Sequence, residues 1–374
     1  MRFLLAILLL LPGLAAADTS RVSVPISQTL LPNGDIRYAV PVRVGGSVTV
    51  PALLDTGSTG LHIFRAAVFN DSFTDTGFAS LYEFGGGDKL TGTVGTGVVW
   101  VGPESTDEAV PFEIVTQAGC ADFRPDCSAS MVAAQDYGIG GDGISGQGFQ
   151  AILGISLRVD GGASYTANPL VHMGAGKWIV ELPEPGSSAD GQLILNPDAA
   201  DLQGFTMFSL NRLGAAGQGL DSGWDDALPG CLDDATNGQK ICGPAILDTG
   251  SPGVVADVVG GGVAPLWGQD DRVTMSFTGA GGEVDLPFVA DRNPGTGLLQ
   301  EPAGPAGARL VDGFLPFFYY DVLYDAVDGE MGLRARGDAP TGVMTPAAGN
   351  DAVEVIQLNA PAPGAPKLPV VIGP

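Results

Sequence analysis

Ala52-Leu53-Leu54-Asp55-Thr56-Gly57-Ser58-Thr59-Gly60 decides the fold, because it returns as Ala245-Ile246-Leu247-Asp248-Thr249-Gly250-Ser251-Pro252-Gly253. In each copy an apolar strand end delivers an aspartate into a turn that glycine permits. The copies lie 193 residues apart (248 − 55). That is far too long for a stacked repeat and suits two homologous lobes. Each copy is followed by an apolar pair and a glycine: Ile152-Leu153-Gly154 in the first half, the looser Leu310-Val311-Asp312-Gly313 in the second. A third Asp-Thr-Gly, at Asp75-Thr76-Gly77, has no apolar lead-in and carries Phe78 in place of the serine. It reads as a surface turn.

Outward from these motifs, residues 21 to 345 read as strand and turn, with helical patterns short and few. Ile36 to Val44 alternates and stops at Gly45-Gly46, and Ser47 to Leu54 is its expected hairpin partner. Thr93 to Val101 is a further strand, closed by Gly102-Pro103. Asp136 to Gly148 and Ala256 to Gly262 are glycine-dense and read as loops or turns. A G-x-G-x-x-G match at Gly138, Gly140 and Gly143 has no apolar strand before it and no helix after it, which argues against phosphate binding.

Composition narrows the function. The 374 residues hold 17 Lys+Arg against 42 Asp+Glu, a net charge of -25. Such a surface repels phosphate backbones and anionic lipid heads, so nucleic acid and membrane surfaces are poor partners. Only His62 and His172 are available to a metal site or a Ser-His-Asp triad. Residues 1–17 read as a Sec-type signal peptide: Arg2, the apolar run Phe3 to Leu11, the break at Pro12-Gly13, and a small-residue cleavage site at Ala15-Ala16-Ala17. The run of nine (11 − 3 + 1) is about half a bilayer span. No membrane insertion is therefore expected, and no cysteine follows the cleavage site to carry a lipid. The four cysteines, Cys120, Cys127, Cys231 and Cys242, suit an oxidising destination, periplasmic or extracellular. They allow three connectivities, of which Cys120–Cys127 with Cys231–Cys242 is the expected one. Neither spacing matches a zinc knuckle, so no metal is expected. The Pro/Ala/Gly-rich stretch 345–374 reads as an extended tail without a catalytic role.

At this point the sequence resembles the pepsin-like aspartic proteases. Tyr38 to Val44 is similar to the family's lead-in strand, and Asp55 to Ser58 and Asp248 to Ser251 to its two active-site loops. Phe149 to Gly154 is similar to the strand crossing behind the first loop, and Phe317 to Asp325 with Met331-Gly332-Leu333 to the closing strands. The resemblance spans about 36–335, patchily between motifs. It implies an all-β, bilobal fold of two β-barrel-like lobes around a cleft: 18–165 carrying Asp55 and 166–344 carrying Asp248.

The resemblance also implies the chemistry. Asp55 and Asp248 would meet on the cleft floor, where carboxylates about 3 Å apart repel by several kcal/mol at an effective dielectric of about 20 and share one proton. Thr56 and Thr249 would cross-brace the loops, Ser58 and Ser251 bond the outer carboxylate oxygens, and Gly57 and Gly250 keep the backbone clear. The flap should be Leu81 to Val94, with Phe84 its best-aligned aromatic and Tyr82 on the same face two residues earlier. His62 stands where the family often has tryptophan and reads as a partner of the flap. Phe149 and Ile152 are candidates for a pocket wall, with core packing the alternative.

Two departures carry implications. Asp55 to Gly154 spans 99 positions and Asp248 to Gly313 only 65, so the second lobe should have a shortened or missing hairpin and an open cleft side. No sizeable basic prosegment separates Ala17 from the first strand. Together these imply a bacterial member. The leading reading is an exported aspartic endopeptidase needing no cofactor, acting on an extended polypeptide, and monomeric because both aspartates come in cis. The alternative is a noncatalytic binding or adhesion protein of the same fold, for which Arg336-Gly337-Asp338 is the one sequence cue.

Overall fold

The computed structural model describes residues 20–159, 165–215, 222–258, 268–292, 294–302 and 309–337. The expected leader at 1–17, the expected tail at 345–374, Val259 to Gly262 and Asp338 lie outside the described residues. The chain is almost entirely β.

In the first half, β1 (Val22–Leu30), β2 (Ile36–Val44), β3 (Val50–Asp55) and β4 (Thr59–Phe64) come first. Then follow β5 (Thr74–Glu83), β6 (Asp88–Gly97), β7 (Val99–Val101), β8 (Glu104–Ser105), β9 (Val110–Cys120) and β10 (Ala151–Ile155). β10 is buried on both faces, as a continuous apolar run requires. It lies parallel to β3, matching Ala151 to Ala52 and Gly154 to Asp55, and antiparallel to β4, matching Ile152 to His62. The loop carrying Asp55 therefore springs from three interlocked strands. Glycine is obligatory at 154, where a Cβ would lie 2.6 Å from the Thr59 amide nitrogen.

The middle of the chain supplies β11 (Lys177–Glu181), β12 (Gly191–Leu195), β13 (Thr206–Ser209), β14 (Asn211–Ala215) and β15 (Ser222–Asp225). The second half continues with β16 (Leu228–Asp234), β17 (Gln239–Ile246), β18 (Val254–Val258), β19 (Arg272–Gly279) and β20 (Gly282–Val289). It ends with β21 (Leu298–Pro302), β22 (Leu310–Val311), the one-turn helix α1 (Pro316–Tyr319), β23 (Tyr320–Asp325) and β24 (Glu330–Ala335). The first-half arrangement recurs: β22 runs parallel to β17, matching Ile246 to Val311, and antiparallel to β18. β21 lies parallel to β18 as β9 lies parallel to β4.

A shared sheet of order β13-β24-β23-β11-β12-β1 joins the halves, and β1 continues it through β2 into the first lobe. One apolar core runs through both halves. Trp178 of β11, stacked on Tyr324 of β23 with centroids 5.8 Å apart, sits in it.

Several sequence expectations need correcting. Thr93 to Val101 is not one strand: β6 ends at Gly97 and β7 begins at Val99. Asp75-Thr76-Gly77 is not a turn but lies within β5, at an irregularity in its pairing with β6 between Asp75 and Ala79, exposed on the sheet edge. Ala256 to Val258 is strand, part of β18. Phe317 to Tyr319 is a helical turn, because Pro316 is preset for a first helical position.

Candidate active site

Each loop is tied by the same bonds. Asp55 Oδ1 accepts the Gly57 amide at 2.8 Å and Oδ2 accepts the Ser58 hydroxyl at 2.5 Å. Asp248 Oδ1 accepts the Gly250 amide at 2.8 Å and Oδ2 accepts the Ser251 hydroxyl at 2.7 Å. The threonines are reciprocal. The Thr56 hydroxyl donates to the Leu247 carbonyl at 2.7 Å and accepts the Thr249 amide at 2.9 Å. The Thr249 hydroxyl donates to the Leu54 carbonyl at 2.7 Å and accepts the Thr56 amide at 3.1 Å. All four bonds are buried, so each hydroxyl satisfies the opposite loop's backbone where water cannot.

The glycines set the approach of the carboxylates. A Cβ on Gly57 would lie 2.4 Å from Asp248 Cγ, and one on Gly250 would lie 2.8 Å from Asp55 Oδ1. Each loop thus leaves room for the other's aspartate, and the two carboxyls face each other across the glycines. Burial, and after it the charge of Asp248, pushes the Asp55 carboxyl well above the ordinary carboxylate range, against the pull of Ser58 and Gly57. Beneath the brace, burial holds the Tyr324 phenol well above its usual range beside Thr56.

The pair opens into a cleft of about 940 Å³. Tyr82 and Phe84 line it from the β5–β6 hairpin, as do Leu53, Ile152 and Arg158 from the first lobe and Leu298 from the second. Phe149, the other candidate wall residue, does not line the cleft; it packs in a satellite core to which Ile152 and Leu53 also belong. No residue of the β19–β20 hairpin lines the cleft; that hairpin pairs with β16.

His62 lies under the β5–β6 hairpin. Its ring centroid is 4.5 Å from that of Tyr82 and 5.9 Å from that of Phe84, and those two rings are 4.7 Å apart. Its Nδ1 is bonded to Glu113 Oε2 at 2.5 Å, both side chains being almost fully buried on paired positions of β4 and β9. The sequence reading missed Glu113, whose only signal is an acid within the apolar stretch Val110 to Val115. It also missed Ser156, Arg158 and Asp226, which meet beside the first loop. Asp312 sits fully buried behind the second loop, neither carboxyl oxygen bonded, and burial alone pushes it up to about 8.

The cysteines pair as Cys120–Cys127 and Cys231–Cys242, the latter across the β16–β17 hairpin. Among the described residues no three His, Cys, Asp or Glu side chains converge as metal ligands, and no helix is long and apolar enough to cross a membrane.

No protein-family model matches the chain, nor does any curated protein. Among solved structures it is similar to the crystal structure of aspartic proteinase from Irpex lacteus, with a TM-score of 0.57 and 15% sequence identity, covering 86% of this chain and 99% of that one. The likeness establishes the fold: all-β, with the bilobal architecture of the pepsin-like aspartic proteinases.

Proposed function

We propose that the chain is an exported aspartic endopeptidase in which Asp55 and Asp248 together activate a water against a peptide carbonyl. The observation that carries this reading is the mutual packing of two Asp-Thr-Gly-Ser loops, each glycine against the opposite carboxylate. Two acids held this close cannot both ionise, a sharing long established for aspartic proteases. The proton is best described as belonging to the pair, with burial and the Asp248 charge favouring the protonated form of Asp55.

The ionised member takes a proton from the water while its partner's proton polarises the scissile carbonyl. Water attack gives a tetrahedral diol, and the pair returns a proton to the leaving amine as the C–N bond breaks. Gly57, Ser58, Gly250 and Ser251 hold the carboxylates in place, so little rearrangement is needed at the moment of attack. The substrate lies across the cleft as an extended strand under the β5–β6 flap, with side chains against Phe84, Leu53 and Ile152. This chemistry needs no metal or cofactor.

The expected leader at 1–17, the paired cysteines and the acidic surface favour export to the periplasm or beyond, and the shorter segment from Asp248 to Gly313 favours a bacterial source. The adhesion reading gains no support, because Arg336 Nη1 is engaged with the Leu182 and Phe317 carbonyls, at 2.5 and 3.1 Å.

The test is cleavage of a denatured mixed-peptide pool at about pH 2.5 to 7, the range over which carboxylates titrate, by wild type, Asp55→Ala and Asp248→Ala. A statine-type inhibitor serves as control. Cleavage by wild type alone, blocked by the inhibitor, is the expected result. A folded wild type that neither cleaves at any pH nor binds the inhibitor sinks the enzyme reading and promotes the binding protein.

A further inference from the structure

Apart from the threonine brace, a polar bridge joins the lobes beside the first active-site loop. Ser156, Leu157 and Arg158 follow β10, and Asp226 closely precedes β16, the hairpin partner of the strand that leads to Asp248. Asp226 is buried. Its Oδ2 accepts the Ser156 hydroxyl at 2.7 Å and the Leu157 amide at 2.9 Å, and its Oδ1 forms an ion pair with Arg158 Nε at 3.0 Å, that Nε donating its hydrogen bond to Ser156 Oγ at 3.2 Å. Arg158 Nη2 reaches the other way and donates to the Gly57 carbonyl at 2.8 Å. By the register of the internal repeat, Gly154 with Gly313, the second-half counterparts are Leu315, Pro316 and Phe317, all apolar and buried. The bridge has no twin at those positions.

A buried carboxylate needs compensation, and a guanidinium can give it while holding a second acceptor in a fixed fork geometry. Here that second acceptor is the peptide of Gly57, whose amide donates to Asp55 Oδ1 and whose Cα faces Asp248.

We propose that Arg158, clamped by Asp226, is a positioning residue for the aspartate pair: it fixes the Gly57 peptide, and the bridge sets the local field at Asp55 and Asp248. Its consequence for catalysis rests on the peptidase reading, whereas its electrostatic consequence does not.

The two effects are separable by carbon-13 NMR titration of the aspartate carboxyls in wild type, Arg158→Met and Asp226→Asn. Asp55→Asn and Asp248→Asn identify the signals of the pair. Removing the guanidinium raises the titration midpoints of the pair, and neutralising Asp226 leaves the cation uncompensated and lowers them, each by about half a pH unit. Midpoints that move in the same direction in both variants, or in neither, overturn the proposal. In the peptide assay Arg158→Met loses about tenfold in kcat with KM within about threefold of wild type. Arg158→Lys keeps the charge but not the fork, so its midpoints stay near wild type while kcat falls, and it serves if the methionine variant does not fold. An inactive wild type whose midpoints shift with opposite signs defeats the peptidase reading and leaves the bridge standing. An active wild type with unmoved midpoints defeats the bridge alone.

Discussion

The residue that fits its surroundings least is Asp312. It occupies the repeat position that Leu153 fills in the first lobe, and both side chains are fully buried. Leu153 contributes apolar packing there, whereas Asp312 has two oxygens without a hydrogen-bond partner and is tolerable only as the neutral acid. Its folded carboxyl titrates at about 8 against an ordinary 3.8. Between those values the folded protein holds a proton that the unfolded chain releases, so stability declines as pH rises through that window. The slope is about 1.4 kcal/mol per pH unit for one such group, and it ends at the folded value. Asp312→Leu removes the slope. Thermal unfolding across this window should show the variant gaining on wild type as pH increases. Equal gains at acid and neutral pH would mean that Asp312 is not protonated in the fold. The backbone around it is part of the site, because the Asp248 amide donates to the Gly313 carbonyl at 3.2 Å.

Between elements, β4 and β9 are joined by His62 and Glu113 as well as by backbone pairing. Beyond their mutual bond, His62 Nε2 and Glu113 Oε1 have no hydrogen-bond partner. Truncating either one strands the other without water, at a cost of about 3 kcal/mol or more. Replacing both with leucine removes the polar groups together and costs less than the sum of the singles. Urea unfolding of His62→Leu, Glu113→Leu and the double variant checks this, and additive losses would refute it. The same comparison shows what a sequence can carry. β2, β3 and β10 are legible because their apolar runs are local and punctuated by glycine. The two loops are legible because they repeat. Glu113 is not, because its partner lies 51 positions away on another strand. Nor is the Ser156–Asp226 bond, which closes over 70 positions. β18 is obscured by the glycines that follow it, and α1 by aromatic residues that favour strands as readily as a helical turn.

Across the whole molecule, the shared sheet makes the lobes one cooperative body, while the charge works against compactness at neutral pH. With 42 acidic and 17 basic side chains, the folded surface repels itself wherever its carboxylates are ionised, and acidification relieves that repulsion by neutralising them. Salt relieves it by screening, over about 10 Å at 0.1 M and less at higher concentration. The two remedies overlap, so their effects should not add. Raising salt to about 0.5 M should lift the unfolding temperature by several degrees at about pH 7 and scarcely at all at about pH 4, close to the isoelectric point of 4.1, where acidic and basic charges balance and little net repulsion is left to screen. Differential scanning at the four combinations tests this. An equal rise at both pH values would assign the salt effect to general exclusion from the surface rather than to charge. A fall at pH 7 would mean that the ion pairs, such as Lys177 with Asp325 at 2.5 Å, outweigh the repulsion. The Asp312 term adds to the preference for acid without responding to salt, because its carboxyl lies beyond the reach of ions. Asp312→Leu should therefore keep the full salt effect at pH 7 while losing part of the pH effect, which separates the buried proton from the surface field.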